Sequence, residues 1–246
     1  MKKKYIALIS CDVPSSSASL LADDFHLFYL RREDNLPRPV SSHPDMILSV
    51  IGEKIILSEQ YYAANRDVID PICRLAKLSP LISHTEKRYK YPYDAAFNAA
   101  VGDGFIICRA KSVANEILTM AEQYKISICN VNQGYSGCSC IVTPAAVLTS
   151  DMGIKKALDR NGIKAIFITN KNILLPGYNI GFLGGCGGFC DGTIYLFVKD
   201  KTPERNSTLS EFANENGYEI KYLSSDPLTD YGGIKFIKIK EQCADI

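Results

Sequence analysis

A thiol set in bare backbone, a histidine in a polar loop and three aspartates are the side chains of this 246-residue chain best suited to chemistry. Cys186 stands inside Gly184-Gly185-Cys186-Gly187-Gly188, where missing side chains let a ligand approach closely and expose N–H donors. It is a candidate nucleophile, with Cys138 as a lesser one. His43, in His43-Pro44-Asp45, is the best-placed general acid or base among the three histidines. Asp45, Asp94 and Asp230 would balance a bound cation, and Asn98, Tyr135, Cys138, Gly184 and Gly185 would complete the contacts. Plainer roles stay open beside these. Asp45 and Asp230 can cap turns, while Asp94 and Asn98 can bracket a strand start. Asp151 reads as a helix N-cap rather than a ligand.

Other chemistries find no support. Cys138-Ser139-Cys140 and Cys186 to Cys190 lack the CxxC spacing of a zinc site, so no metal is expected. The glycine run lacks the G-x-G-x-x-G order and a following helix, and no Gly-Lys-Ser/Thr loop is present, so no cofactor is expected. Lys and Arg total 28 against 27 Asp and Glu, a balance without the cationic excess that nucleic acid requires. With 46% hydrophobic and 22% charged residues the chain can bury a sizeable core. Apolar runs such as Ala165–Ile168 fall far short of the roughly 20 residues of a membrane span. Without an export signal, the nine cysteines read as reduced cytoplasmic thiols. Nothing in the sequence sets the number of copies in the assembly.

The elements that must position these residues recur. Apolar residues Met46–Ile51 turn at Gly52-Glu53-Lys54 and return through Ile55–Leu57, a hairpin pattern. The pattern repeats as Asn98–Val101 with Phe105–Cys108, Cys138–Val142 with Ala146–Thr149, and Gly181–Phe189 with Thr193–Val198. A helical pattern follows each hairpin. The first begins at Ser58, with Pro71 expected to kink or split it. The others begin at Ser112, at Ser150-Asp151 and at Thr202-Pro203-Glu204, the last two stopping at Asn161-Gly162 and Gly217. Short β-rich runs come next, at Leu81–Ser83, Ile126–Val131, Ala165–Thr169 and Tyr218–Leu223. The turns near 52, 103, 144 and 191 lie about 40 to 50 residues apart, a repeat period.

The chain ends supply a fifth unit: Gly233–Ile239 and Tyr5–Ser10 as paired strands, Ser15–Leu21 as a helix, and His26–Leu30 as the last strand. The expected fold is α/β, a five-bladed β/α propeller of pseudo-fivefold ββαβ modules, closed without free edges by pairing of the N- and C-terminal strands. One domain, 1–246, is expected. Its modules span approximately 43–84, 94–131, 137–169, 181–224, and 231–240 joined with 4–31. In such a ring the five first strands begin near one mouth, which gathers the candidate residues.

Five such modules resemble the pentein, or guanidine-modifying-enzyme, superfamily, which includes arginine and agmatine deiminases, dimethylargininases, glycine amidinotransferases and a non-catalytic ribosome anti-association factor. His43-Pro44-Asp45 looks like the Pro-Asp approach of dimethylargininase-like members, and Asp230-Tyr231-Gly232-Gly233 resembles their Gly-Gly approach to the nucleophile. Gln133–Ser139 and Leu175-Pro176-Gly177-Tyr178, followed by Gly184-Gly185, look closer to an uncharacterised bacterial branch of this fold. The resemblance implies attack on a guanidinium carbon by a cysteine thiolate, with a histidine as acid/base and carboxylates holding the cation. Two positions depart from that pattern. Phe236 falls in the nucleophile's place and Asn172 in the histidine's, while Cys243 lies past the last strand. Neither replacement can do the chemistry. The expected function is therefore binding of a small guanidino- or amino-acid-like cation. The alternatives are a hydrolase or amidinotransferase with a rearranged Cys/His site, and a protein–protein module.

Overall fold

The computed structural model describes residues 3–85, 90–198, 202–224 and 227–240; Cys243 lies outside them. Tyr5–Ser10 forms β1, Ser15–Asp24 α1 and His26–Leu30 β2. The one-turn helix α2, Pro44–Ile47, leads into β3 (Leu48–Ile51) and β4 (Lys54–Ser58). Helices α3 (Glu59–Ala64) and α4 (Arg66–Ala76) then precede β5 (Ser79–Ser83). β6 (Ala100–Val101), β7 (Phe105–Cys108), α5 (Asn115–Gln123) and β8 (Ser127–Asn130) repeat the order. So do α6 (Ser136–Ser139), β9 (Cys140–Val142), β10 (Val147–Thr149), α7 (Met152–Arg160) and β11 (Ala165–Phe167). The last run is β12 (Gly187–Cys190), β13 (Thr193–Leu196), α8 (Pro203–Asn216), β14 (Glu219–Tyr222) and β15 (Lys235–Lys238).

Five three-stranded sheets result, with orders β3-β4-β5, β6-β7-β8, β9-β10-β11, β12-β13-β14 and β15-β1-β2. In each, the first strand runs antiparallel to the middle one and the third parallel to it. The parallel step needs a crossover, and a helix supplies it every time. The two ends of the chain share a sheet as expected: Tyr5 pairs with Lys238 and Leu8 with Lys235. Residues Ile6–Ser10, Ile55–Leu57, Ile106–Cys108, Val147–Thr149 and Ile194–Leu196 of the middle strands are buried, so these strands are covered on both faces. The helices cover them through one repeated spacing. Ile69, Ile72 and Cys73 are buried on α4, Ile117, Met120 and Ala121 on α5, and Ile154, Ala157 and Leu158 on α7. α8 does the same with Leu209, Phe212 and Ala213, and buries Arg205, which donates to the carbonyls of Thr169 (2.7 Å) and Lys171.

Several elements differ from the sequence reading. The sheets remain separate, with no ladder joining one to the next among the described residues, so the expected ring without free edges is not made by strand pairing. Neighbouring sheets meet instead through side chains, as where Ala7, Ile141, Leu148 and Ile194 share one apolar cluster. The first hairpin helix breaks at Asn65, while Pro71 stays inside α4. Asn65 takes a non-helical backbone and its Nδ2 donates to the Tyr61 carbonyl at 2.9 Å, which ends α3 there. The helix expected from Ser112 begins only at Asn115, because Ala114 N–H donates to the Ala96 carbonyl at 2.7 Å and holds the preceding residues out of the spiral. The first strands also begin later, at Leu48, Ala100, Cys140 and Gly187. Helical turns at Pro44–Ile47, Tyr93–Ala95, Ser136–Ser139 and Gly184–Cys186 occupy the approaches. No helix among the described residues is long and apolar enough to cross a membrane.

Candidate functional site

Those helical turns set the candidate side chains. Asp45 lies in the first turn of α2, Cys138 on α6, Asp94 in the turn before β6, and Asp230 in the loop before β15. Asp230 is held from several directions. Its own N–H donates to the Leu174 carbonyl at 2.8 Å, Oδ2 accepts from Phe182 N–H at 2.9 Å, and Oδ1 accepts from Gly232 N–H at 3.0 Å. The N–H groups of Tyr231 and Gly233 both donate to the Gly185 carbonyl at 2.9 Å. Gly185 has to be glycine here, since a Cβ would lie 1.8 Å from Asp230 Oδ1. Gly232 is constrained twice: its φ is +79°, and a Cβ would lie 2.2 Å from that of His43.

His43, Asp45, Cys138 and Asp230 are all buried. His43 Nδ1 sits 3.7 Å from Asp230 Oδ1 and has no hydrogen-bond partner. Neither oxygen of Asp45 makes a well-formed hydrogen bond, so the turn-cap role does not account for it. Its charge lies within electrostatic reach of Cys138, Lys235 and Asp230. Asn98 ties this group together: Nδ2 donates to Cys138 Sγ (3.0 Å) and Met46 Sδ (3.2 Å), while Oδ1 accepts from Gly137 N–H (2.6 Å) and Cys138 N–H (3.3 Å). Tyr135 donates its hydroxyl to Asp94 Oδ2 at 2.6 Å. Asp151 caps α7, accepting from Ile154 N–H at 2.8 Å, as its position predicts.

Burial dominates the electrostatics. It lifts Asp230 to about 7, with the Asp45 charge adding to the rise. Asp45 is lifted by burial to about 6, restrained by the Cys138 contact and by Lys235. Burial lowers His43 to about 4 against the pull of Asp12, and lowers the Lys235 ammonium as well. The Cys138 thiol is pushed well above its ordinary 9.0 by burial and by both carboxylates. At neutral pH the group therefore holds a neutral imidazole, a protonated thiol and two carboxyls titrating as a pair. A thiolate–imidazolium pair is absent from this resting state.

Two cavities flank these residues. One of ≈ 290 Å³ is lined by every first strand, through Val50, Ala100, Ile141, Phe189 and Phe236, and by Asp45 and Lys235. The other, ≈ 270 Å³, has His43, Cys138 and Asp230 in its lining beside the rings of Tyr135, Tyr178 and Phe182. Cys186 lines neither: it is fully buried and its thiol donates to the Phe182 carbonyl at 3.2 Å. Gly184 lines the first cavity, where a Cβ would meet the Gly137 and Cys140 carbonyls at 2.5 Å. Phe236 packs its ring against Phe25 (4.8 Å between centroids) and Tyr195 (5.3 Å). Asn172 is exposed with φ +63°. Sequence reasoning missed Lys235, next to Phe236, and Phe182. Tyr178 was within view in the Leu175–Tyr178 string. Among the described residues no group of three or more His, Cys, Asp or Glu is placed to hold a metal ion.

A model of the family of unknown function DUF6873 matches residues 8–235. No curated protein matches the chain. Among solved structures, dimethylarginine dimethylaminohydrolase from Pseudomonas aeruginosa, complexed with citrulline, is similar with a TM-score of 0.56 at 9% identity, covering 92% of this chain and 93% of that one. SxtG, an amidinotransferase of Microseira wollei from a saxitoxin biosynthetic pathway, gives 0.54 at 10% identity, covering 97% of this chain and 95% of that one. ArgZ, a cyanobacterial arginine dihydrolase, gives 0.53 at 13% identity over 98% of this chain, which spans only 40% of ArgZ. The likeness is one of fold: the chain shares the fold of these three structures.

Proposed function

The chain belongs to the DUF6873 family, and from that premise we propose that it binds a small guanidino- or amino-acid-like cation in the cavity floored by Asp230. The observation that carries this reading is a buried carboxylate beside aromatic walls, with no Lys or Arg among the described residues that line that cavity. Charge buried in low dielectric is costly until paired, so a fitting cation supplies Asp230 with a partner. Asp94 adds negative charge behind the Tyr135 hydroxyl, and Asp45 lies within electrostatic reach of Asp230. The proposal includes a single domain of five modules arranged about the cavity lined by all five first strands, and a cytoplasmic protein. Phe236 and Asn172, which the sequence resemblance aligns with the superfamily's cysteine and histidine, support binding without the usual covalent chemistry.

A second reading, a hydrolase or amidinotransferase with a rearranged site, draws on Cys138 and His43 lining the same cavity. The raised thiol and the neutral imidazole weigh against it. One experiment separates the two. A panel of arginine, agmatine, methylated arginines and simple amines is scored by thermal shift and then assayed for citrulline, urea or ammonia. A shift without product, lost in Asp230→Asn, supports binding. Product that disappears in Cys138→Ala supports catalysis. No shift from any cation ends the leading reading.

A further inference from the structure

The ≈ 290 Å³ cavity lined by all five first strands takes no part in holding a cation at Asp230, yet it carries two charged side chains of its own, Asp45 and Lys235. We infer that this cavity is a second binding site, for a small monocarboxylate with an apolar tail. Asp45 is buried, and neither of its oxygens has a well-formed hydrogen-bond partner. Lys235 is half-buried on β15. Its ammonium makes no hydrogen bond or ion pair among the described residues, although Asp45 and Cys138 lie within electrostatic reach.

One carboxylate answers both groups. Its oxygens offer about four acceptor sites, against the three N–H donors of a lysine and the single O–H of a protonated carboxyl. Burial lifts Asp45 to about 6, so its acid form is within easy reach at neutral pH. With Asp45 protonated, the ligand's charge is balanced by Lys235 and no ion is left buried alone. The remaining walls are apolar. Val50, Val101, Ile141, Phe189 and Phe236 come one from each first strand, and the Cys140 thiol is engaged with Thr149 Oγ1 at 3.6 Å. Such walls favour a hydrocarbon tail over a second polar end. An amino acid placing its ammonium on Asp45 would bring a like charge within reach of Lys235.

The test is titration calorimetry of the full chain at pH 6 and pH 8 with three probes. These are 4-methylpentanoate, leucine, which adds an α-ammonium, and 4-methylpentanamide, which removes the charge. The groups facing Asp45 are the Cys138 thiol on α6, the Lys235 ammonium on β15 and the Asp230 carboxyl in the loop before it, with His43 3.7 Å from Asp230. At pH 6 the carboxylate is expected to bind about ten-fold more tightly than either other probe. By pH 8 it should weaken about ten-fold or more, since Asp45 must then take up a proton. Leucine or the amide binding as tightly overturns the inference, as does an affinity indifferent to pH or no binding of the carboxylate. Lys235→Met keeps the stem and is expected to lose about ten-fold. Asp45→Asn supplies an amide donor at every pH. It is expected to keep the pH 6 affinity, with the fall to pH 8 reduced to about three-fold, the share left to Asp230. Unchanged affinity in Lys235→Met, or a fall in Asp45→Asn as steep as in wild type, overturns the inference. The wild-type comparison of probes decides the matter where a variant fails to fold. Cation binding is scored separately by the thermal-shift panel, so failure here leaves that proposal standing.

Discussion

Replacing Asp230 with asparagine tests the electrostatics of the site through the stability of the whole protein. Burial and the Asp45 charge raise the Asp230 carboxyl from 3.8 to about 7. A carboxyl raised in the folded state favours folding fully below its unfolded value and loses that contribution as pH rises through the folded one. The window for wild type is thus pH 3.8 to about 7. A shift of about three units, at 1.36 kcal/mol each, amounts to about 4 kcal/mol, or a Tm difference of roughly 10 °C for a chain of this size. Asparagine does not titrate. Its amide must face either Phe182 N–H or Gly232 N–H, which adds a cost that is the same at every pH. The informative quantity is therefore the difference in unfolding free energy, variant minus wild type, measured by urea denaturation from pH 4 to pH 8. It is expected to move toward the variant by about 4 kcal/mol across that range and then level off. Removing the Asp230 charge also relieves Asp45, which acts with the same sign. A difference that stays flat within about 1 kcal/mol, against the shift linkage requires, refutes the account of a buried, ionising carboxylate.

Other predictions follow from contacts already described. Gly185→Ala places a methyl against Asp230 Oδ1 and is expected to cost about 1–3 kcal/mol by overpacking, read from denaturant midpoints, with cation binding weakened in parallel. Arg205→Met keeps much of the stem but removes the charged donors to Thr169 and Lys171, at an expected cost of about 3 kcal/mol in the same measurement. Asp151→Ala removes the cap on α7 and is expected to cost about 1 kcal/mol, read from the same denaturant midpoints.

What could be read from the sequence was local or periodic. Tyr5–Ser10 and His26–Leu30 are strands to the residue because each is a short, largely apolar run with clear boundary signals, in the places the repeat requires. α8 runs from Pro203 to a left-handed Gly217 for the same reason. The repeated hairpin, helix and strand order carried the topology, including the sharing of one sheet by both ends of the chain. The approaches to the first strands were less legible. Pro44–Ile47 and Ser136–Ser139 are each a single helical turn, too short for periodicity to separate from a strand start. Cys186 looked accessible within its glycines, yet those glycines let other backbone close over it. Gly184, for example, packs against the Gly137 and Cys140 carbonyls. Lys235, half-buried in β15, gave no sign of its place, because only the convergence of distant segments brings it within electrostatic reach of Asp45.

The partnership of β15 with β1 also bears on how the protein is made. During synthesis the hydrogen-bonding edge of Tyr5–Ser10 must wait for Lys235–Lys238, made long after it. Until then a strand whose Ile6, Leu8 and Ile9 end up wholly inside the molecule is bare along one side. Such an edge invites association with neighbouring nascent chains. A chain still lacking Lys235–Lys238 has four complete sheets and one without its edge partner, the state in which a chaperone has most to do.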